Sequence, residues 1–419
     1  MDISGKEKAR AARAEAFATP LDKFDVADPE LFRSDTLWPW FERLRREDPV
    51  HLCRESRFGP YWSVTKHRDI VAVDSNHRVF SSDSEIGGIT IMDGYQPRQQ
   101  SSFIALDPPM HDQQRKVIMP MFAPGSLETL APLIRSRAAK ILDELPRGED
   151  FDFVDRVSIE LTSQMLATLF DFPFDERRVL PRCSDLILAQ PEPGGIVESE
   201  EQRQAELFQI LGQFVGLWNE RIALPPAHNL VSMLAHAGAT RRETPEEYLG
   251  NIILLIVAGS DTTRHSITGG LLALNQNPAQ YEKLRANPAL IENMVPEIIR
   301  WQSPVAHMRR TALQDIEIGG KQVRKGEKVI MWYVSGNRDE DAIDRPDEFV
   351  IDRERPRQHV SFGFGIHRCV GMRLAEMQLR IMWEEILKRF PRIDVVGEPK
   401  RMNSNFVKGF EAMPVRIPA

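Results

Sequence analysis

Ser361-Phe362-Gly363-Phe364-Gly365-Ile366-His367-Arg368-Cys369-Val370-Gly371 sets one cysteine in a glycine-rich loop, directly before Met372–Ile381, where apolar residues recur at helical spacing. A sulfur at the start of a helix faces unpaired backbone N–H groups and the positive end of the dipole, which favour its thiolate. Gly363, Gly365 and Gly371 allow a tight turn and the close approach of a flat ligand. Held so, one thiolate suits an axial metal ligand whose other positions belong to a macrocycle. The competing reading is a buried structural thiol, the commoner fate of a lone cysteine.

With 419 residues, 42% of them hydrophobic, the chain can bury a large core. No apolar run reaches the ~18–20 residues of a membrane-spanning helix. Met1–Leu21 is charged and alanine-rich and lacks the apolar centre of a secretory signal. The expectation is a cytoplasmic protein with no transmembrane segment. A net charge of −7, from 54 basic and 61 acidic residues, argues against a nucleic-acid partner. Cys53, Cys183 and Cys369 are too far apart for a disulfide framework or a CxxC metal site, and the first two read as ordinary packed or partly exposed thiols.

Residues 1–30 read as a weakly ordered lead-in, punctuated by Pro20, Asp22, Asp25 and Pro29. Trp38–Arg46 and His67–Asp74 have helical spacing, and between them Val50–Cys53 and Tyr61–Val64 are strand-like. From Ser81 to Ser102 the chain is irregular, with Gly87, Gly88, Gly94 and Pro97 among Ile86, Ile89, Ile91 and Met92. A long loop holding apolar residues is more often functional than a polar linker. Asp107-Pro108-Pro109 opens a helix in which His111 and Arg115 share one face, able to clamp an anion. Residues 126–245 are mainly helical, with breaks expected at Pro181 and at Gln190–Gly195.

Asn251–Leu274 reads as one long helix. Inside it, Ala258-Gly259-Ser260-Asp261-Thr262-Thr263 breaks local rules: glycine costs a helix roughly 1 kcal/mol against alanine, and a buried acid costs more unless paired. Such violations are expected at functional sites. Further on, Glu297 and Arg300 are neighbours on one helix face, and Glu317–Lys321 signals a hairpin through Gly319-Gly320. Lys328–Val334 continues as strand, and the tail reads as a terminal hairpin.

Phe362, Gly365, His367, Cys369 and Gly371 match, position for position, the haem-binding loop of the cytochromes P-450, and four motifs in all follow that family's order between residues 30 and 415. The resemblance implies a mainly α fold with small β-sheets, 31–419 forming one catalytic domain. Haem b would lie between the long helix and the helix after the cysteine loop, with Cys369 as axial ligand of its iron. It makes His111, Arg115 and Arg310 the propionate contacts, Arg309 a second candidate, and Ala258 the small residue leaving room for dioxygen. Thr262 would hydrogen-bond the bound oxygen and Asp261 connect it to a proton relay. Glu297, Arg300 and Arg353 become a buried structural network. Ile89, Ile91, Leu188, Leu255, Val257, Val305, Ala306 and Met308 fall where family members line the substrate pocket, and Gln190–Gly195 where a mobile cap opens it.

The implied reaction inserts one atom of O2 into a C–H bond, with electrons from NAD(P)H through a ferredoxin and a ferredoxin reductase. A narrower likeness, through Trp301–Arg310, Met331–Asp339 and Phe364–Gly371, is to the bacterial alkane and fatty-acid terminal hydroxylases. It implies medium-chain linear alkanes, fatty acids or related chains, attacked at a terminal methyl. The rival within the class is a steroid side-chain or terpenoid hydroxylase. The rival outside it is a non-catalytic haem sensor, which has no need of Asp261 and Thr262.

Overall fold

The apolar run expected to form one long helix does so over Pro245–Gln276, 32 residues, in a computed structural model that describes residues 3–93, 102–238 and 245–419. Ile252, Ile256, Ile267, Leu271 and Leu274 on this helix are fully buried. Around it pack Glu160–Phe170, Val179–Leu188, Ile291–Gln302 and Met372–Arg389, so apolar residues of all five helices share one main core. Glu160–Phe170 is entered through a π-helical turn, Val154–Ile159, for which the sequence carried no signal.

The main sheet has five strands in the order Val50–Cys53, Tyr61–Val64, Lys328–Trp332, His307–Ala312, Phe80–Ser81. Tyr61–Val64 runs parallel to Lys328–Trp332, with Trp62 opposite Val329, and the other pairs are antiparallel. Every residue of the central strand is buried. Its side chains alternate between two satellite cores, as the two-residue strand period requires. Ile330 and Trp332 face Phe24, Phe32 and Phe41, while Val329 and Met331 face Ile70 and Val73. A second sheet places Pro414–Arg416 between Asp150–Asp152 and Asp394–Val395.

Two expectations are corrected. The lead-in contains a 16-residue helix, Ile3–Ala18, and a short one, Pro29–Arg33. Ala12 and Ala16 are buried, and Phe24, Val26 and Phe32 enter a satellite core, so this segment has an apolar face to bury. Pro181 does not break the chain either. It sits in the first turn of Val179–Leu188, where its missing N–H has no helical partner to lose. The break at Gln190–Gly195 is real, since the next helix starts at Glu200. Of the irregular 81–102 loop, 94–101 with Gly94 and Pro97 lies outside the described residues. Among those residues no single helix is long and apolar enough to cross a membrane.

Candidate active site

The cysteine loop is closed by its own backbone, the Cys369 N–H donating to the Phe362 carbonyl at 2.9 Å. Gly365 has φ +64°, and a Cβ there would lie 2.5 Å from the Asp74 carbonyl oxygen, so this position excludes any side chain. The amides of Gly371 and Met372 donate toward the Cys369 sulfur, as the helix-start argument requires. Their effect is outweighed. Loss of hydration pushes the thiol up, against the lowering pull of the Gly371 amide, the Arg115 charge and the Met372 amide. Cys369 keeps an accessible surface although protein surrounds it, while Cys53 and Cys183 are buried, their thiols pushed up to about 11 and about 12 by the same loss of water. A thiolate at Cys369 therefore needs a cation beyond what the chain supplies.

Three buried groups hold this loop, and two of them carried no local sequence signal. Asp74 accepts the Phe364 N–H at 2.7 Å, the Tyr333 hydroxyl at 2.9 Å and Arg310 Nη2 at 2.7 Å. Asn337 donates to Ser303 Oγ and Ser361 Oγ and accepts the Val360 N–H. The third is the expected network. Glu297 takes Arg300 at 2.7 and 2.8 Å and Arg353 at 3.0 and 3.2 Å, and also accepts the Val350 N–H. Burial pushes the Glu297 carboxyl up, but its arginine partners hold it below the usual range. The link to the loop is direct, for Arg300 donates to the Asn337 carbonyl and Ser361 Oγ to that of Ile299.

On the long helix, where Val257 and Gly259 are also partly accessible, Ala258 is exposed, and Leu254 and Thr262, one turn to either side of it, are partly accessible. Residues four apart lie on one face, so these three form an accessible stripe through the core. Thr262 Oγ1 donates to the Ala258 carbonyl at 2.8 Å. Asp261 is fully buried and pairs with Arg264 at 3.0 Å, which in turn holds Asp185 of Val179–Leu188 at 2.6 Å. Burial pushes the Asp261 carboxyl up to about 6, with Arg264 opposing and Asp185 reinforcing. Asp261 and Thr262 thus lie on adjoining faces, the acid toward a neighbouring helix and the hydroxyl on the stripe.

His111 and His367 meet ring to ring at 4.4 Å. His367 Nε2 is 2.8 Å from Ser82 Oγ and His111 Nδ1 is 2.8 Å from Asp112, leaving His111 Nε2 and His367 Nδ1 buried without a partner among the described residues. Arg115 donates to the Arg368 carbonyl at the loop's edge. Arg309 is drawn elsewhere, to Asp93 at 2.7 Å.

The residues expected to line a substrate pocket separate into two groups. Leu188, Val257, Val305 and Met308 keep accessible surface, and Ile89 is buried at the loop. Ile91 and Ala306 are packed into the satellite core with Trp332, and Leu255 into the main core, so their side chains are already covered.

The chain is 35% identical over 407 residues to linalool 8-monooxygenase of Pseudomonas putida, covering 94% of this chain and 99% of that one. It belongs to the cytochrome P450 family. The family model for cytochrome P450 matches residues 225–410. A steroid C26-monooxygenase of Mycolicibacterium smegmatis is 34% identical, covering 93% of this chain and 92% of its own. Among solved structures, a cytochrome P450-153 from Novosphingobium aromaticivorans superposes with a TM-score of 0.85 at 42% identity, over 94% of this P450 and 98% of its own chain. CYP153D17 from Sphingomonas sp. gives 0.88 at 44%, over 96% and 100%.

This P450 is accordingly a monooxygenase, and its family works with haem, O2 and electrons from redox partners. Its residues fit the haem. The His111 and His367 nitrogens left without a partner are buried polar atoms that, once protonated, propionate carboxylates would satisfy, and the uncompensated Cys369 thiol suits a cationic iron.

Proposed function

We propose that this P450 hydroxylates the terminal methyl of medium-chain linear alkanes, fatty acids or related chains in the cytoplasm, with electrons from NAD(P)H through a ferredoxin and its reductase. Residues 31–419 would act as one catalytic domain. The observation that carries this reading is the accessible stripe of Leu254, Ala258 and Thr262 in the buried long helix, with an accessible Cys369 on the loop before Met372–Arg389. When bound, haem b supplies the activation of O2 from which one oxygen atom enters the C–H bond and the other leaves as water.

Cys369 would hold the iron, with Phe362, Gly365 and Gly371 shaping the loop that presents it. His111, Arg115, His367 and Arg310 would hold the propionates, Arg310 sharing its charge with Asp74. The single methyl of Ala258 would leave room for O2, and Thr262 Oγ1 carries a proton that it could offer on the same accessible stripe. Asp261 is a proton reservoir, since a carboxyl with a value of about 6 exchanges readily near neutrality. Its pairing with Arg264 means that delivery requires Asp261 to leave that partner. Terminal attack is harder than attack on the adjacent methylene, so the accessible Leu188, Val257, Val305 and Met308 must restrain the chain.

Two relatives support chain-end attack by name, one acting at C8 of linalool and the other at C26 of a steroid. The second also keeps the steroid side-chain reading in view. Product analysis separates them. The holoenzyme with surrogate ferredoxin, reductase and NADH is given linear alkanes, fatty acids and a steroid. Primary alcohols from linear chains are expected. Secondary alcohols, or turnover of the steroid alone, would overturn terminal hydroxylation of linear chains, and absence of product-coupled O2 consumption would overturn monooxygenase turnover itself.

A further inference from the structure

A cavity of ≈ 50 Å³ lies at the far end of the long helix, lined by Gly269 and Ala273 together with Trp38, Arg338, Arg401 and Lys408. Three cations therefore meet in one small space. Two of them have carboxylates: Arg401 pairs with Asp35 at 2.9 Å, and Arg338 reaches the exposed Asp347 at 3.4 Å. Nearby Arg300 is closed off by Glu297. Lys408 is different. It is 5% exposed, yet among the described residues its Nζ has no hydrogen bond and no carboxylate within ion-pair distance, Asp35 acting on it only from farther off.

What Nζ does face is the Trp38 ring, 5.3 Å from its centroid, on which the Arg338 guanidinium also sits at 4.3 Å. Arg338 also sits 3.6 Å from the Trp301 ring centroid, and among the described residues its Nε is buried without a partner. One indole ring approached by two cations compensates only part of the cost of burying an ammonium group, which is large without a close counter-charge. The lining thus sets three cations, Arg338, Arg401 and Lys408, against one carboxylate, Asp35, and is short of negative charge.

We propose that this cavity binds a monovalent anion of halide size, held by Lys408 and Arg338 between Trp38 and the C-terminal hairpin. One water needs about 10–15 Å³ of such space, so ≈ 50 Å³ has room for an ion of halide size. The partly exposed Asp35 and the exposed Gln276 at the rim give it a way in. The bound anion ties the long helix, the Trp38–Glu47 helix and the Lys400–Ala412 hairpin together, far from the cysteine loop in sequence and served by different residues. Loss of hydration, opposed by Asp35 and reinforced by Arg401 and Arg338, lowers the Lys408 ammonium to about 7, which is the behaviour of a cation lacking its counter-ion.

The test is crystallisation of the holoenzyme in sodium bromide with data collected at the bromine edge, alongside melting curves in which chloride replaces gluconate at constant ionic strength. An anomalous peak within hydrogen-bond reach of Lys408 Nζ is expected, with a saturable rise in Tm of about 1–3 °C that Lys408→Met abolishes. No peak at the cavity, the result if a neutral lysine simply holds a water, would overturn the proposal. So would a chloride response that survives Lys408→Met, since the anion would then act elsewhere. If that variant does not fold, the bromide density in the unmodified protein decides alone.

Discussion

At single positions, the structure assigns more to Asp74 than any motif suggested. Asp74→Ala would leave Arg310 buried without its partner at 2.7 Å and orphan the Tyr333 hydroxyl and the Phe364 N–H. Breaking a buried pair costs about 3–5 kcal/mol. The variant should lose that much in urea unfolding and retain less haem after gel filtration; haem content and stability equal to the unmodified protein would show that the loop stands without it. Cys369→Ser should abolish the thiolate-type spectrum of the reduced carbonyl complex, and survival of that spectrum would refute the ligand assignment. Thr262→Ala should raise O2 consumption per product formed, because its Oγ1 is the hydroxyl on the accessible stripe. Motif residues were legible because chemistry fixes their type and spacing. Asp74 and Asn337 were not, because each acts through partners more than twenty residues away and sits in an unremarkable local sequence.

Among the elements, those whose signal is local were readable. Val50–Cys53, Tyr61–Val64 and the turn at Gly319-Gly320 follow from alternation and turn chemistry, and the long helix from its apolar run. The lead-in helix escaped because its apolar face exists only once Trp38–Glu47 and the Phe24–Phe32 segment are beside it. The turn at Val154–Ile159 escaped because no residue pattern distinguishes a π-turn from the α-helix that follows. Elements can also be tested by the bonds between them. Asn337 joins the Glu-x-x-Arg helix, through Ser303 and Arg300, to the start of the cysteine loop at Val360 and Ser361. Asn337→Ala should therefore cost about 2–4 kcal/mol, as orphaned buried partners do, and broaden the haem absorbance of the folded fraction. A variant as stable as the parent with an unchanged spectrum would mean that Glu297, Arg300 and Arg353 hold the loop unaided.

For the whole molecule, buried neutral histidines set the acid limit. His307 donates from Nδ1 to the Asn405 carbonyl and accepts the Ile91 N–H at Nε2, so a second proton would displace a bonded donor. Burial lowers His307 to about 4 and His359 to about 3, and lowers His265 as well, with Arg264 and Lys408 adding to it. Their stabilising contribution is complete above the unfolded value near 6.5 and is lost as pH falls through the folded values. Asp261, raised to about 6, and Asp69, also raised, act in the opposite sense, but His67, His111 and His367 are lowered as well, so the histidines outnumber them. The urea midpoint should hence fall steadily from pH 6.5 to pH 4, and a midpoint flat across that range would contradict it. The strand order has a different bearing, on how the chain is made. Lys328–Trp332 is the middle strand of the main sheet and the last of its five to be synthesised, and Pro414–Arg416 is both the middle and the last of its three. On the ribosome, the Val50–Cys53 and Tyr61–Val64 pair and the Asp150–Asp152 strand must wait for a keystone that emerges more than two hundred residues later. Cys369 follows the first keystone and precedes the second, so a nascent chain offers its thiol to iron only when the structure is nearly closed.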